Sequence, residues 1–169
     1  MTIKAFIFTG LCMLSAAHLA GQIQLTFTVE ILDTPQHGID YLPTEVHVAT
    51  DGERFRVREI GTDVNRTWLQ TAPDAYAVLF SFLGHEVALV ENCLQNPGAP
   101  CWWPAWPGVT DAPLAFEVVD GPARYRMVET ARRELSAKDW RQVDFDIPST
   151  HTRIDRPTLS ALLSDLRPR

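Results

Sequence analysis

Long apolar runs are missing from this chain. No stretch reaches the roughly 20 apolar residues that a membrane-spanning helix needs, which excludes a multi-span membrane protein. No repeat of fixed period is visible across the 169 residues. There is no G-x-S-x-G elbow, no P-loop and no dinucleotide fingerprint. His85-Glu86 is followed by Val87-Ala88-Leu89, so the second histidine of a zincin helix is lacking. The remaining histidines of the mature chain, His37, His47 and His151, stand alone and form no metal-ligand spacing. Lysine is nearly absent: Lys4 and Lys138 are the two, and the other basic residues are arginines. Acids outnumber bases, 21 to 15, giving a formal charge of −6. Such a chain gains little from a polyphosphate, so no nucleic-acid partner is expected. With 46% hydrophobic residues it is neither disordered nor collagen-like. No cofactor motif and no catalytic constellation stand out, and a non-enzymatic protein is expected.

The N-terminus carries Lys4, an apolar run from Ala5 to Leu14, and then small residues, Ser15-Ala16-Ala17. That order is a secretory signal peptide, with cleavage after Ala17 or Ala20. The domain reading is therefore 1–20 signal peptide and 21–169 one domain, exported to a periplasmic or secreted location. Export leaves Cys93 and Cys101 in an oxidising compartment, where a disulfide between them is expected. A zinc pair is the rival, and eight positions between the two with no matching histidines fit it poorly.

Gln22 to Ile31 alternates apolar and polar residues: Ile23, Leu25, Phe27, Val29 and Ile31 on one side, Gln24, Thr26, Thr28 and Glu30 on the other. This is a half-buried strand. Further strands follow over 44–50, 53–60, 66–71, 75–82, 85–90, 114–119 and 122–135. Asp51-Gly52 and Asp120-Gly121 supply two hairpin turns, the first of two residues. The fifth and sixth strands are apolar on both sides, so both of their faces are covered. A helical turn is expected at 136–140 and a short extended piece ends at Phe145-Asp146-Ile147-Pro148. Asp155 caps a last helix with Pro157 in its first turn, and Leu159, Leu162, Leu163 and Leu166 make its apolar stripe.

The expected fold is mainly β (α+β): a curved antiparallel sheet or incomplete β-barrel of about eight strands, with a C-terminal amphipathic helix over its concave side. That sheet has more inward apolar surface than one helix of roughly ten residues covers. A residual apolar cavity with the helix as its lid is therefore expected.

Two segments stand out. Arg54, Arg56 and Arg58 form an outward basic stripe, fit for an anionic head group or a partner's acidic patch, or else a wet strand face paired across to Glu45. Cys101-Trp102-Trp103-Pro104-Ala105-Trp106-Pro107 packs three tryptophans into a proline-rich loop. They are rigid aromatics at a cavity mouth or partner surface, a lipid-interface anchor, or a plug for the open sheet end.

The order of these segments resembles a known group. Ile23 to Ile31, then TEVHVATDGERFRVRE at 44–59, TWLQTAPDAYAVL at 67–79, APLAFEVVDG at 112–121 and DFDIPSTHTRID at 144–155 are similar to the LolA/LolB-like half-barrels of the lipoprotein-localisation superfamily. Within it they look most like an exported bacterial family of unknown function. The resemblance implies a half-barrel whose cavity holds a lipid, a lipoprotein acyl chain or another hydrophobic ligand, with no catalytic residue. It also implies that Arg56 stands where an arginine helps hold the closed state. The expected ligand-binding residues are then the inward set, Leu25, Phe27, Val46, Phe55, Val57, Trp68, Tyr76, Val78 and Phe80. Trp102, Trp103 and Trp106 join them from the loop. The alternative is an envelope or secreted interaction module that uses the Trp loop as a binding surface. The partner is a hydrophobic small molecule or lipid in the first case and an envelope protein in the second, with no integral membrane span after cleavage.

Overall fold

The structure, a computed structural model, describes residues 21–33, 42–62, 65–72, 74–92, 112–120 and 123–165. The expected leader at 1–20, Cys93, Cys101, Trp102, Trp103, Trp106 and Leu166 lie outside the described residues.

Among the described residues nine strands and two helices follow one another: β1 Ile23–Asp33, β2 Glu45–Thr50, β3 Phe55–Ile60, β4 Asn65–Ala72, β5 Ala75–Phe82, β6 His85–Asn92, β7 Ala115–Asp120, β8 Ala123–Glu134, α1 Ala137–Trp140, β9 Thr152–Ile154 and α2 Arg156–Asp165. They form one sheet in the order β7-β8-β1-β2-β3-β4-β5-β6-β9. Every neighbouring pair is antiparallel except β6 with β9, which is parallel. β7 and β9 sit at opposite ends and do not pair, so the sheet is open. The fold is mainly β, as the alternation predicts. On β5 and β6, Tyr76-Ala77-Val78 and Val87-Ala88-Leu89 are buried on successive positions, so both faces of these strands are covered as expected.

Several details differ from the sequence expectation. The first hairpin pairs Thr50 with Phe55, so its loop has four residues, 51–54, and not two. The Asp51 carboxylate accepts the backbone N–H of Glu53 at 3.1 Å and of Arg54 at 2.8 Å, which holds both residues in the turn. Arg54 is thereby removed from the strand, and the stripe is reduced to Arg56 and Arg58. Ile31, read as inward, is 43% exposed. The β1–β2 register ends at Thr28–Glu45, followed by one bond from the Val29 N–H to the Thr44 carbonyl at 3.1 Å, and from Glu30 on β1 pairs with β8 alone, so its end overhangs the sheet. The ninth strand is Thr152–Ile154, not the segment around Ile147. Three residues carry too little pattern to be read, and their strand character comes from β6.

Residues 135–151 connect β8 to β9, which lie on different sides of the sheet's middle. This strap crosses the face opposite the apolar one. Ser136 caps α1 by accepting the Asp139 N–H at 3.1 Å, and Trp140 is buried. Trp140 and Phe145 pack with ring centroids 5.1 Å apart. The Arg54 guanidinium lies over both, 5.5 Å from the indole and 4.9 Å from the phenyl ring, and so ties the strap to the 51–54 loop.

The β5–β6 hairpin closes from Phe82 to His85 through Leu83 (φ 51°) and Gly84 (φ 79°). Two left-handed residues are what a tight two-residue hairpin requires. Glycine adopts that state freely and leucine does not; the cost is roughly 1–2 kcal/mol. Leu83 is also 69% exposed, so no packing offsets it. Leu83→Asn is expected to stabilise the protein by about 1 kcal/mol. The check is a higher urea midpoint at unchanged denaturant slope.

Candidate functional site

Side chains of directly paired residues share a face, so the register fixes which residues meet. Leu25 pairs with Val48, Val48 with Val57, Val57 with Trp68, Trp68 with Val78, Val78 with Leu89 and Leu89 with Ile154. An unbroken apolar row thus runs across seven strands on one face. The flanking row Phe27–Val46–Glu59–Arg66 lies on the same face. All nine inward residues read from the sequence, Leu25, Phe27, Val46, Phe55, Val57, Trp68, Tyr76, Val78 and Phe80, therefore stand together on it.

They divide into two clusters. Leu25, Phe27, Val46 and Val57 are fully buried, packed with Leu42, Leu114, Val118, Tyr125 and Met127. Phe27 meets Phe116 edge-on at 5.7 Å. Tyr76, Val78 and Leu89 form the second cluster, joined by the half-buried Phe80, Ile154 and Leu159. Trp68 packs against both clusters and lies 5.7 Å from the Tyr76 ring. Half-buried Phe55 packs on the first cluster and half-buried Phe80 on the second, and Trp68 alone of the three touches both.

Three carboxylates enter this face, each with an arginine. Glu59, 1% exposed, accepts from Arg66 Nε at 2.7 Å and from Trp68 Nε1 at 2.9 Å. Glu129 takes Arg132 Nε and Nη2 at 2.7 Å each and the Leu114 N–H at 2.8 Å. Glu91 is bound by Arg156 through Nε and Nη2 and by the Tyr76 hydroxyl. The arginine hydrogen bonds hold Glu91 and Glu129 below the usual carboxylate range against the opposing effect of burial. Burial first, and then the Glu91 carboxylate, push the Tyr76 hydroxyl well above its ordinary value. Sequence alternation places Glu59 and Glu91 inward, at i+2 from Val57 and Leu89. That was the available sign that two charges sit inside and need partners. Nothing in the pattern indicates that Arg156, 65 residues away, is the partner of Glu91.

The final helix takes a smaller role than its leucine stripe predicts. Asp155 caps it by accepting the Thr158 N–H at 2.9 Å. The Arg156–Glu91 pair fixes it at β6, where Leu159 packs on Tyr76, Val78 and Leu89. Leu162 and Leu163 remain 42% and 47% exposed. The helix therefore covers the β6 end of the apolar face and not its centre. Among the described residues, no three His, Cys, Asp or Glu side chains converge as a metal-ligand set, and no helix is long and apolar enough to cross a membrane.

No known protein family, curated protein or solved structure matches this chain.

Proposed function

We propose that this chain is an exported, non-enzymatic protein that holds a lipid, a lipoprotein acyl chain or another hydrophobic ligand against the apolar face of its open sheet. The observation that carries the reading is the row Leu25–Val48–Val57–Trp68–Val78–Leu89–Ile154. Most of that row is buried in the protein's own core, Leu25, Val48 and Val57 entirely, so a ligand meets it at its half-buried members, Trp68 and Ile154. Phe55, Trp68 and Phe80 are the contact residues, because these side chains keep part of their surface accessible while Leu25, Phe27, Val46 and Val57 are consumed by the core. The similarity of the segment order to the lipoprotein-localisation half-barrels, and the leader-like N-terminus, support export and a hydrophobic cargo. The carboxylates on this face favour binding over chemistry, since each is committed to a guanidinium.

Native mass spectrometry of the freshly exported chain should show a co-purified lipid, and a fluorescent fatty acid should bind saturably, one per chain. Phe80→Ser should weaken that binding about tenfold, the loss of one well-buried apolar contact, with the β signal in circular dichroism unchanged. A chain that carries no lipid and gives no saturable titration would instead be an interaction module of the envelope or secreted space.

A further inference from the structure

A cavity of about 250 Å³ lies on the face opposite the apolar row, between strands β8, β1, β2 and β3 and the strap. The register explains why it is there. Arg133 pairs with Gln24, Gln24 with Ala49, and Ala49 with Arg56. The smallest side chain of this row, Ala49, forms the floor, and a long guanidinium side chain rises on either side of it. The outer strands of the row are roughly 14 Å apart, a span that two arginines can close from both ends. One row along, His47 pairs with Arg58 and brings in a third guanidinium. Asp139, Gln142 and Val143 of the strap form the roof.

The charges in this cavity are not balanced by the protein. Arg54, Arg66, Arg124, Arg132 and Arg156 each have an acidic partner. The side chains of Arg56 and Arg58 make no hydrogen bond or ion pair among the described residues, and Arg133 donates to a neutral group, Gln24 Oε1, at 3.0 Å. His47 is engaged by Glu45. Asp139 is the one carboxylate among the lining residues; it is held by the Ser136 hydroxyl at 2.8 Å and forms no ion pair with the three arginines. Three guanidiniums thus line one concavity against a single carboxylate, Asp139, that pairs with none of them, in a chain whose formal charge is −6. Like charges gathered this way repel one another unless an anion lies between them.

We infer that this cavity binds a small soluble oxyanion of two or more negative charges, a phosphate ester or diphosphate group, clamped by Arg56, Arg58 and Arg133. The planar guanidinium fork matches two phosphoryl oxygens at once and is the side chain that does so best. The volume is slightly below that of drug-sized ligand pockets, roughly 300 Å³ and up, so the ligand is small. The strap residues Asp139, Gln142 and Val143 stand beside the arginines, which favours a free phosphate over one displayed on a flat bilayer. The roof is itself anchored, through Arg54 on Trp140 and Phe145. The site is on the other face from the hydrophobic-ligand surface and does not depend on that reading.

The experiment is calorimetric titration of the mature chain with pyrophosphate, against sodium chloride at matched ionic strength. Saturable binding at one site per chain is expected. Arg56→Gln and Arg58→Gln should each weaken it about tenfold or more, the loss of one charge-assisted contact. Arg153→Gln, which removes an equal charge from β9 outside the cavity, should leave it unchanged. Ala49→Leu, which raises the floor with every arginine in place, should abolish it; if that variant does not fold, the arginine variants decide. Heat no greater than that of sodium chloride overturns the inference. So does an equal loss in Arg153→Gln, which would mean general surface charge, or binding to phosphatidic-acid vesicles without binding to pyrophosphate.

Discussion

Phe27→Ala is expected to lower the unfolding free energy by about 3–5 kcal/mol. Phe27 has no exposed surface. It lies in β1, which β8 and β2 flank, and it pairs with Val46 on one side and Glu129 on the other. Its edge-on contact with Phe116 at 5.7 Å reaches across β8 to β7. Strands fixed by ladders on both sides cannot close the space a lost ring leaves, so the cavity contribution adds to the lost transfer energy. A domain of this size is stable by only about 5–15 kcal/mol, and the variant should approach the threshold of folding. The urea midpoint measures it. A loss below about 1 kcal/mol, the size of a volume-conserving swap, would mean that the site collapses freely and that Phe27 is no anchor.

Arg156→Met should cost about 2–3 kcal/mol, because it strips a charged hydrogen-bonded partner from a buried carboxylate. The Glu91 side chain is 2% exposed, and the Tyr76 hydroxyl is what remains to it. Arg156 is half in water, so the loss falls short of that for a fully enclosed pair. The variant also frees the first turn of α2, and Leu159 with it. Binding of a hydrophobic dye should then rise at Tyr76, Val78 and Leu89 while the sheet signal persists. The effect depends on pH with a definite sign. Glu91 is held below its ordinary value of 4.5, first by Arg156. Its contribution to stability is complete above that ordinary value and is lost as pH falls through the lowered one. The gap between wild type and Arg156→Met should therefore be widest above pH 4.5 and close on acidification. Glu129, held down by Arg132, keeps an acid limb in both proteins. A gap that does not change with pH would assign the effect of Arg156 to packing alone.

Strand positions were legible because alternation is a local property with a period of two. Leu25, Phe27, Val57 and Trp68 fall on one face as soon as their parity is known, and the register keeps them there. The four-residue turn at 51–54 was not legible from Asp-Gly, since it depends on where one carboxylate places its hydrogen bonds. β9 was hidden for a different reason. Its partner is β6, more than 60 residues earlier, and Thr-Arg-Ile carries no pattern by itself. The same holds for the arginine cavity. The alternation of Arg56 and Arg58 is visible in the sequence, but Arg133 and Asp139 come from β8 and the strap, and their approach is decided by pairing at long range. The leucines of α2 show the limit of a helical stripe: it names the apolar side but not how much of that side finds a neighbour, and Leu162 and Leu163 find little.

β1 sits inside the sheet although it is the first of the described strands. β2 can zip onto one of its edges soon after synthesis, but the other edge waits for β8. The hydrogen bond from the Thr130 hydroxyl to the Thr26 carbonyl joins residues 104 positions apart. A growing chain therefore emerges with an alternating strand whose second row of N–H and C=O groups has no cover until the β7–β8 hairpin arrives. Unpaired strands of this kind recruit one another. Nascent chains that stop before residue 123 should associate through that edge, and the protein's yield in cells should be governed by whatever shields β1 during the interval.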